Sequence, residues 1–124
     1  MHALVIEEAP TSRRMVTDVL TCLGFETVCE AEDFDAARRS EELMRVNLVV
    51  LDWNHASRGA HAFVREYRAA GGDACVLMLT HDIEMQRIVE AIKIGVDRYV
   101  FRPVDLERVQ RALFESFPEV AQAA

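Results

Sequence analysis

No apolar run in this chain approaches the roughly 20 residues that a membrane-spanning helix needs. Basic residues are in deficit: 14 Lys and Arg face 21 Asp and Glu, a net charge of -7. Phosphate contacts need clustered Lys and Arg, so this balance excludes an extended nucleic-acid-binding surface. The pairs Arg13-Arg14 and Arg38-Arg39 are where a local basic patch remains. Cysteine is scarce and unpaired. Cys22, Cys29 and Cys75 form no C-x-x-C motif and sit among apolar neighbours, as buried thiols of a reducing cytoplasm do. No Gly-rich phosphate loop follows the first apolar run, which counts against nucleotide or flavin binding. His55 and His61 are poorly spaced for two ligands on one helix face, so a zinc site is not expected. Thr80-His81-Asp82 are sequence neighbours and cannot stack as a catalytic triad. No linker, repeat or low-complexity stretch is visible, and with an apolar strand starting at Ala3 no signal peptide is expected.

What is present is an alternation. A chain of 124 residues, 51% hydrophobic and 28% charged, has the length and composition of one soluble globular domain. Strand-like and helix-like patterns then alternate five times. The runs ending at Ile6, Leu51 and Leu79 are continuously apolar, the signature of fully buried parallel strands. Pro10 fits a first helical turn that Thr11 or Ser12 caps, and Met15, Val19, Leu20 and Leu23 give that helix one apolar face before Gly24 stops it. Glu26 to Ala31 alternates, as a strand near a sheet edge does. Asp33 caps a second, polar helix through about Met44. Ala62, Phe63, Tyr67 and Ala70 mark a third, ended by Gly71-Gly72. Asp82 caps a fourth, with Ile83, Ile88, Ala91 and Ile92 facing inward and Gly95 at its end. Leu106, Val109, Leu113 and Phe117 mark a fifth, stopped by Pro118, with residues 118–124 a short frayed tail.

This order predicts an α/β fold: a (βα)5 doubly wound, five-stranded parallel sheet with right-handed crossovers and the flavodoxin-like order 2-1-3-4-5. The expected domain is the whole chain, 1–124, with a core from about 3 to 117. Each strand end carries a polar residue of a different kind. The first stops at Glu7-Glu8, the third at Asp52, the fourth at Thr80 and the fifth at Arg102-Pro103. Ligands of such sheets bind in the crevice outside the carboxyl ends of the strands. Carboxylates, a hydroxyl and a cation converging there suit a divalent metal and a phosphoryl group.

On these residues, and on Ala31-Glu32-Asp33 and Asp52-Trp53-Asn54, the chain resembles the receiver domain of two-component response regulators from about Ala3 to Phe117. The resemblance implies that Asp52 is a phosphoacceptor, taking a phosphoryl group from a histidine kinase or histidine phosphotransfer protein as an acyl phosphate. It implies Mg²⁺ held by Glu7, Glu8, Asp52 and the backbone carbonyl of Asn54. Thr80 matches the hydroxyl that binds a phosphoryl oxygen, Tyr99 the aromatic that swings inward with it, and Arg102 the site's cation. The Arg102-Pro103 bond matches a position often cis. The output surface implied is the helix 4–strand 5–helix 5 face, which passes the response to a downstream protein or pairs two copies, since no output domain follows Phe117. The implied setting is a bacterial cytoplasm, with no direct nucleic-acid or membrane partner. The implied chemistry is at most Mg²⁺-dependent self-phosphorylation and autodephosphorylation.

The chain departs from the family's usual text at the same site. The acidic pair holds two Glu where the family has at least one Asp. Arg102 stands where it has Lys, and a planar fork is not a point charge on a flexible stem. His81 follows Thr80 where the family prefers a small residue, placing a ring at the access to the site. His55-Ala56 and Gly59-Ala60 replace the usual Met-Pro and Asp-Gly of the loop. These departures sustain an alternative: a degenerate receiver that binds partners without being phosphorylated. A small phosphatase using Asp52 on external substrates fits worse, because no second Asp lies two residues on.

Overall fold

A computed structural model of the chain describes residues 1–53, 59–81 and 84–122, with side chains described as far as Val120. The strands are β1 (His2–Ile6), β2 (Thr27–Ala31), β3 (Leu48–Asp52), β4 (Cys75–Thr80) and β5 (Arg98–Phe101). The helices are α1 (Pro10–Cys22), α2 (Phe34–Arg39), α3 (Gly59–Ala69), α4 (Met85–Ile94) and α5 (Leu106–Leu113), followed by a 3-10 turn, Pro118–Gln122. The strands form one parallel sheet in the order β2-β1-β3-β4-β5, as the sequence predicts. The continuous apolar runs are buried on both faces: Leu48 to Leu51 and Val76 to Thr80 are all at most 1% exposed. The alternating β2 and the short β5 take the two edges.

Successive strand residues point to opposite faces, so each run feeds two cores. Leu4, Ile6, Val49, Leu51, Val76 and Met78 pack with Ala37 of α2, Phe63 and Tyr67 of α3, and Ile88 and Ala91 of α4. Ala3, Val5, Leu48, Val50, Leu77 and Leu79 pack with Val16 and Leu20 of α1 and Val109 and Leu113 of α5. Helices therefore cover both faces, and every loop leaving a strand's carboxyl end lies at one edge.

The helices correct several expectations of detail. In α1 the buried face is Val16, Leu20 and Leu23, while Met15 is 41% exposed and Val19 sits at the border. Neither Thr11 nor Ser12 caps it: Ala9 is the N-cap, Pro10 opens the helix, and no side chain bonds the first turn. Asp33 does cap α2, accepting from the Ala36 amide at 2.7 Å. That helix stops at Arg39 rather than near Met44, because its apolar stripe is too thin to bury a longer one. In α3 Ala60 and Val64 join Phe63 and Tyr67 inside, and Ala62 and Ala70 are exposed. α4 begins at Met85 with Glu84 at the N-cap position; Ile88 and Ala91 face inward, Ile92 is exposed, and Asp82 and Ile83 lie outside the described residues. Leu106 is exposed at the start of α5. The tail is not frayed up to Val120, which is fully buried against the second core. Cys22 is exposed and Cys29 and Cys75 half-buried, against the expectation of three buried thiols.

At the sheet's other edge Arg68 ties α3 to α4 and β5. Its guanidinium donates to the Gly95 carbonyl at 2.8 and 3.1 Å, the Gly72 carbonyl at 3.0 Å and Asp97 Oδ2 at 2.7 Å. The same Asp97 oxygen accepts from the amide of Val76, the second residue of β4, at 2.9 Å. Gly95 has φ +124°, and a Cβ there would stand 2.7 Å from Arg68 Cγ, so both conformation and space require glycine.

The corrected registers are tested by a pair of substitutions in α5. Leu113→Ala, at a fully buried position, is expected to cost about 2–5 kcal/mol. Leu106→Ala, at an exposed one, is expected to change stability by less than about 0.5 kcal/mol. Urea denaturation followed by circular dichroism measures both; equal losses would contradict the packing described.

Candidate functional site

Glu7 follows β1, Asp52 ends β3, Thr80 ends β4 and Arg102 follows β5. Parallel pairing brings them to one edge: Ile6 lies opposite Leu51, Asp52 opposite Leu79 and Thr80 opposite Phe101. The Trp53 amide extends the β3–β4 ladder one step by donating to the Leu79 carbonyl at 2.8 Å. The Arg102 amide does the same for β4 and β5, donating to the Thr80 carbonyl at 2.9 Å. The Arg102-Pro103 bond is cis.

From that position the Arg102 side chain crosses β4 to reach β3. Its Nη2 donates to Asp52 Oδ1 at 2.9 Å and lies 3.7 Å from Glu7 Oε2. Its Nη1 donates to Ser12 Oγ at 3.2 Å. The guanidinium side chain is 13% exposed and that of Glu7 8%, whereas the Asp52 side chain is 37% exposed. Asp52 is thus the member of the group that a solvent-borne molecule reaches.

Glu7 is buried, and its Oε2 is left without a hydrogen-bond partner. Burial pushes its carboxyl above the ordinary glutamate value, and the negative charge of Asp52 pushes the same way. Arg102, the Ser12 hydroxyl and the Ala9 amide oppose the rise without cancelling it. Glu8 is exposed and, with Glu7, Asp52, Glu32, Asp33 and Phe34, lines a cleft of ≈ 220 Å³. The donors there are carboxylate oxygens, the type Mg²⁺ takes, and the orphaned Glu7 oxygen is one a cation would satisfy. Among the described residues, however, no group of three or more acidic, Cys or His side chains is close enough to hold a metal ion. Asn54 lies outside those residues.

Thr80 is 1% exposed, and His81 after it is exposed at the rim. Tyr99 points outward at 38% exposure, its ring edge-on to Phe101 at 5.4 Å. A model of the response regulator receiver domain matches residues 3–114. The chain belongs to this family. A chemotaxis protein CheY homolog of Campylobacter jejuni is 29% identical over 109 residues, 83% of this chain and 82% of that one. The chemotaxis protein CheY of Pseudomonas aeruginosa is 28% identical over 122 residues, 97% and 98% of the two chains. Among solved structures, CheY4 of Vibrio cholerae superposes with a TM-score of 0.79 at 21% identity, covering 92% of this chain and 96% of that one. The CheX-CheY-BeF3-Mg²⁺ complex of Borrelia burgdorferi gives 0.83 at 17% identity, with 94% and 89% covered. These structural likenesses are of fold.

In this receiver, sequence reasoning found the four strand-end residues but missed what holds them. Ser12 accepts from Arg102 rather than capping the helix start. Arg13, which looked like part of a basic patch, donates to the Glu7 carbonyl at 2.8 Å and pairs with Glu30 at 3.3 Å. Arg14 pairs with Asp18, and Arg38 with Asp35 and Glu66. The available signal was the position of Ser12 and Arg13 in the first turns of the helix that leaves the β1 end. Along α4, Met85, Val89 and Ile92 are exposed at spacings of four and three, one stripe of a helix beside the outward Tyr99 and Phe101. Among the described residues no helix is long and apolar enough to cross a membrane.

The raised carboxyl of Glu7 has a stability consequence. The native state holds the Glu7 proton to higher pH than the unfolded chain does. Between the ordinary value and the raised one the native state therefore binds more protons, and stability falls as pH rises through that window. Glu7→Gln is expected to raise the melting temperature of the metal-free protein at neutral pH. The gap should close as pH falls below the ordinary glutamate range. Calorimetry across pH checks this, and a lower neutral-pH midpoint in the variant would contradict it.

Proposed function

We propose that this receiver accepts a phosphoryl group on Asp52 from a histidine kinase or histidine phosphotransfer protein. One Asp52 carboxylate oxygen forms the new bond to phosphorus as the bond from phosphorus to the donor imidazole nitrogen breaks, and the imidazole leaves. The observation that carries the reading is the open Asp52 carboxylate held 2.9 Å from the Arg102 guanidinium, beside the buried Thr80 hydroxyl at the next strand end. A nucleophile within reach of solvent, with a cation and a hydroxyl beside it, is the set a phosphoryl group needs. Mg²⁺, which neutralises charge on phosphoryl oxygens when bound, would take ligands from Glu7, Glu8, Asp52 and the Asn54 backbone carbonyl.

In this reading the phosphorylated state is read through Thr80 and Tyr99 at the α4–β5–α5 face. The Met85, Val89 and Ile92 stripe there has the apolar character of a protein-docking surface. A modification shifts such a surface only through contacts that differ between its two states. The outward Tyr99 is the side chain free to change sides, and His81 at the rim is the one that would limit donor access. The receiver, on this reading a single domain, acts by changing partners, a downstream protein or a second copy, in the bacterial cytoplasm. Its chemistry is confined to its own aspartyl phosphate.

Intact mass after incubation with a small phosphodonor and Mg²⁺ tests the proposal. One phosphoryl adduct is expected, dependent on Mg²⁺ and absent from Asp52→Asn. Failure to form any adduct with either a small donor or a phosphorylated histidine domain would turn the reading toward a receiver that binds partners independently of phosphate.

A further inference from the structure

The Arg102 fork holds two partners at once, Asp52 through Nη2 and Ser12 through Nη1. Ser12 sits in the first turn of α1, directly after the β1 end. Its hydroxyl accepts from Arg102 Nη1 and opposes the rise of the Glu7 carboxyl. Arg102 thus joins Ser12 of α1, Asp52 of β3 and Glu7 after β1 in one cluster. With the guanidinium 13% exposed, this cluster is screened far less than a surface ion pair.

We infer that Ser12 is a positioning residue that locks Arg102 across Asp52 and Glu7 as a built-in cation, so that a divalent ion enters this receiver only by displacing the guanidinium. The inference deepens the reading of Asp52 as the reacting carboxylate. Mg²⁺ demands several oxygens in near-octahedral array. Here Asp52 Oδ1 is taken by Nη2, the unpartnered Glu7 Oε2 lies 3.7 Å from that same nitrogen, and three ligating side chains are not gathered among the described residues. Two cations cannot share that space without strong repulsion. The planar fork makes the lock specific to arginine: a lysine keeps the charge but has a single nitrogen, which cannot hold Asp52 and Ser12 in fixed geometry.

Mg²⁺ titration of the purified protein, read by Trp53 fluorescence and by calorimetry, tests this without requiring phosphorylation. Ser12→Ala and Arg102→Lys are each expected to bind Mg²⁺ about three- to tenfold more tightly than the parent, the fold-change equivalent of one typical net hydrogen bond. Ser12→Thr keeps the hydroxyl and should match the parent. Affinities of Ser12→Ala and Arg102→Lys within about twofold of the parent would overturn the inference. So would a Ser12→Thr shift equal to that of Ser12→Ala, or the absence of Mg²⁺ binding in all four proteins. Tightened affinities with no adduct on Asp52 would leave this inference standing and remove the proposed function. An adduct with unshifted affinities would do the reverse.

Discussion

Parallel strands that all end at one edge leave Glu7, Glu8 and Asp52 around a single cleft, and the repulsion among those carboxylates has to be met by positive charge. In this molecule the charge is Arg102. Its guanidinium is bonded to Asp52, close to Glu7 and steadied by Ser12. Much of the surrounding structure follows from that requirement. β5 must end beside β4 so that the Arg102 side chain can cross to β3. α1 must leave β1 at an angle that sets Ser12 over the acidic group. Glu7 is buried nearly out of water with one oxygen unsatisfied, an arrangement that costs stability and is tolerable only because hydrogen bonds and a nearby cation offset part of it.

The sheet was more legible in the sequence than the helices that cover it. β1, β3 and β4 are continuous apolar runs because both their faces are buried, and no register error can hide such a run. A helix face, by contrast, depends on where the first turn starts. Apolar spacing fits Met15 with Val19 as well as Val16 with Leu20, and one residue of rotation is enough to put Met15 in solvent. α2 is short because its own apolar residues, the buried Ala37 and the half-buried Phe34 and Ala36, offer little to bury. Val120 lies within a polar-looking tail, and its burial comes from the space left between Phe117 and α5, which no local pattern announces.

The site divides in the same way. Glu7, Asp52, Thr80 and Arg102 could be found because each interrupts an apolar run at a strand end, and topology then brings them together. Ser12 and Arg13 could not, because their roles arise from the direction in which α1 departs. The substitutions that set this chain apart, two Glu for the usual acidic pair and Arg for Lys, are legible as text. Their consequence is three-dimensional: the longer, forked cation reaches a hydroxyl on α1 as well as the carboxylate on β3. A receiver so built starts from a site whose charge is already partly balanced.

The Arg68 junction at the opposite edge sets how α4 is held. Four hydrogen bonds from one guanidinium fix the end of α4 at Gly95 to the α3 terminus and to Asp97. α4 is in effect a lever fastened at Gly95, with Met85 at the end toward Thr80 and Asp52. At 1.5 Å per residue its ten residues span about 15 Å, so a tilt of about 10° about Gly95 carries Met85 roughly 2.5 Å while moving Ile92 by less than about 1 Å. Any displacement along the exposed stripe would be graded by distance from the fastening, with Met85, at the end nearest the carboxylate cleft, having the longest throw.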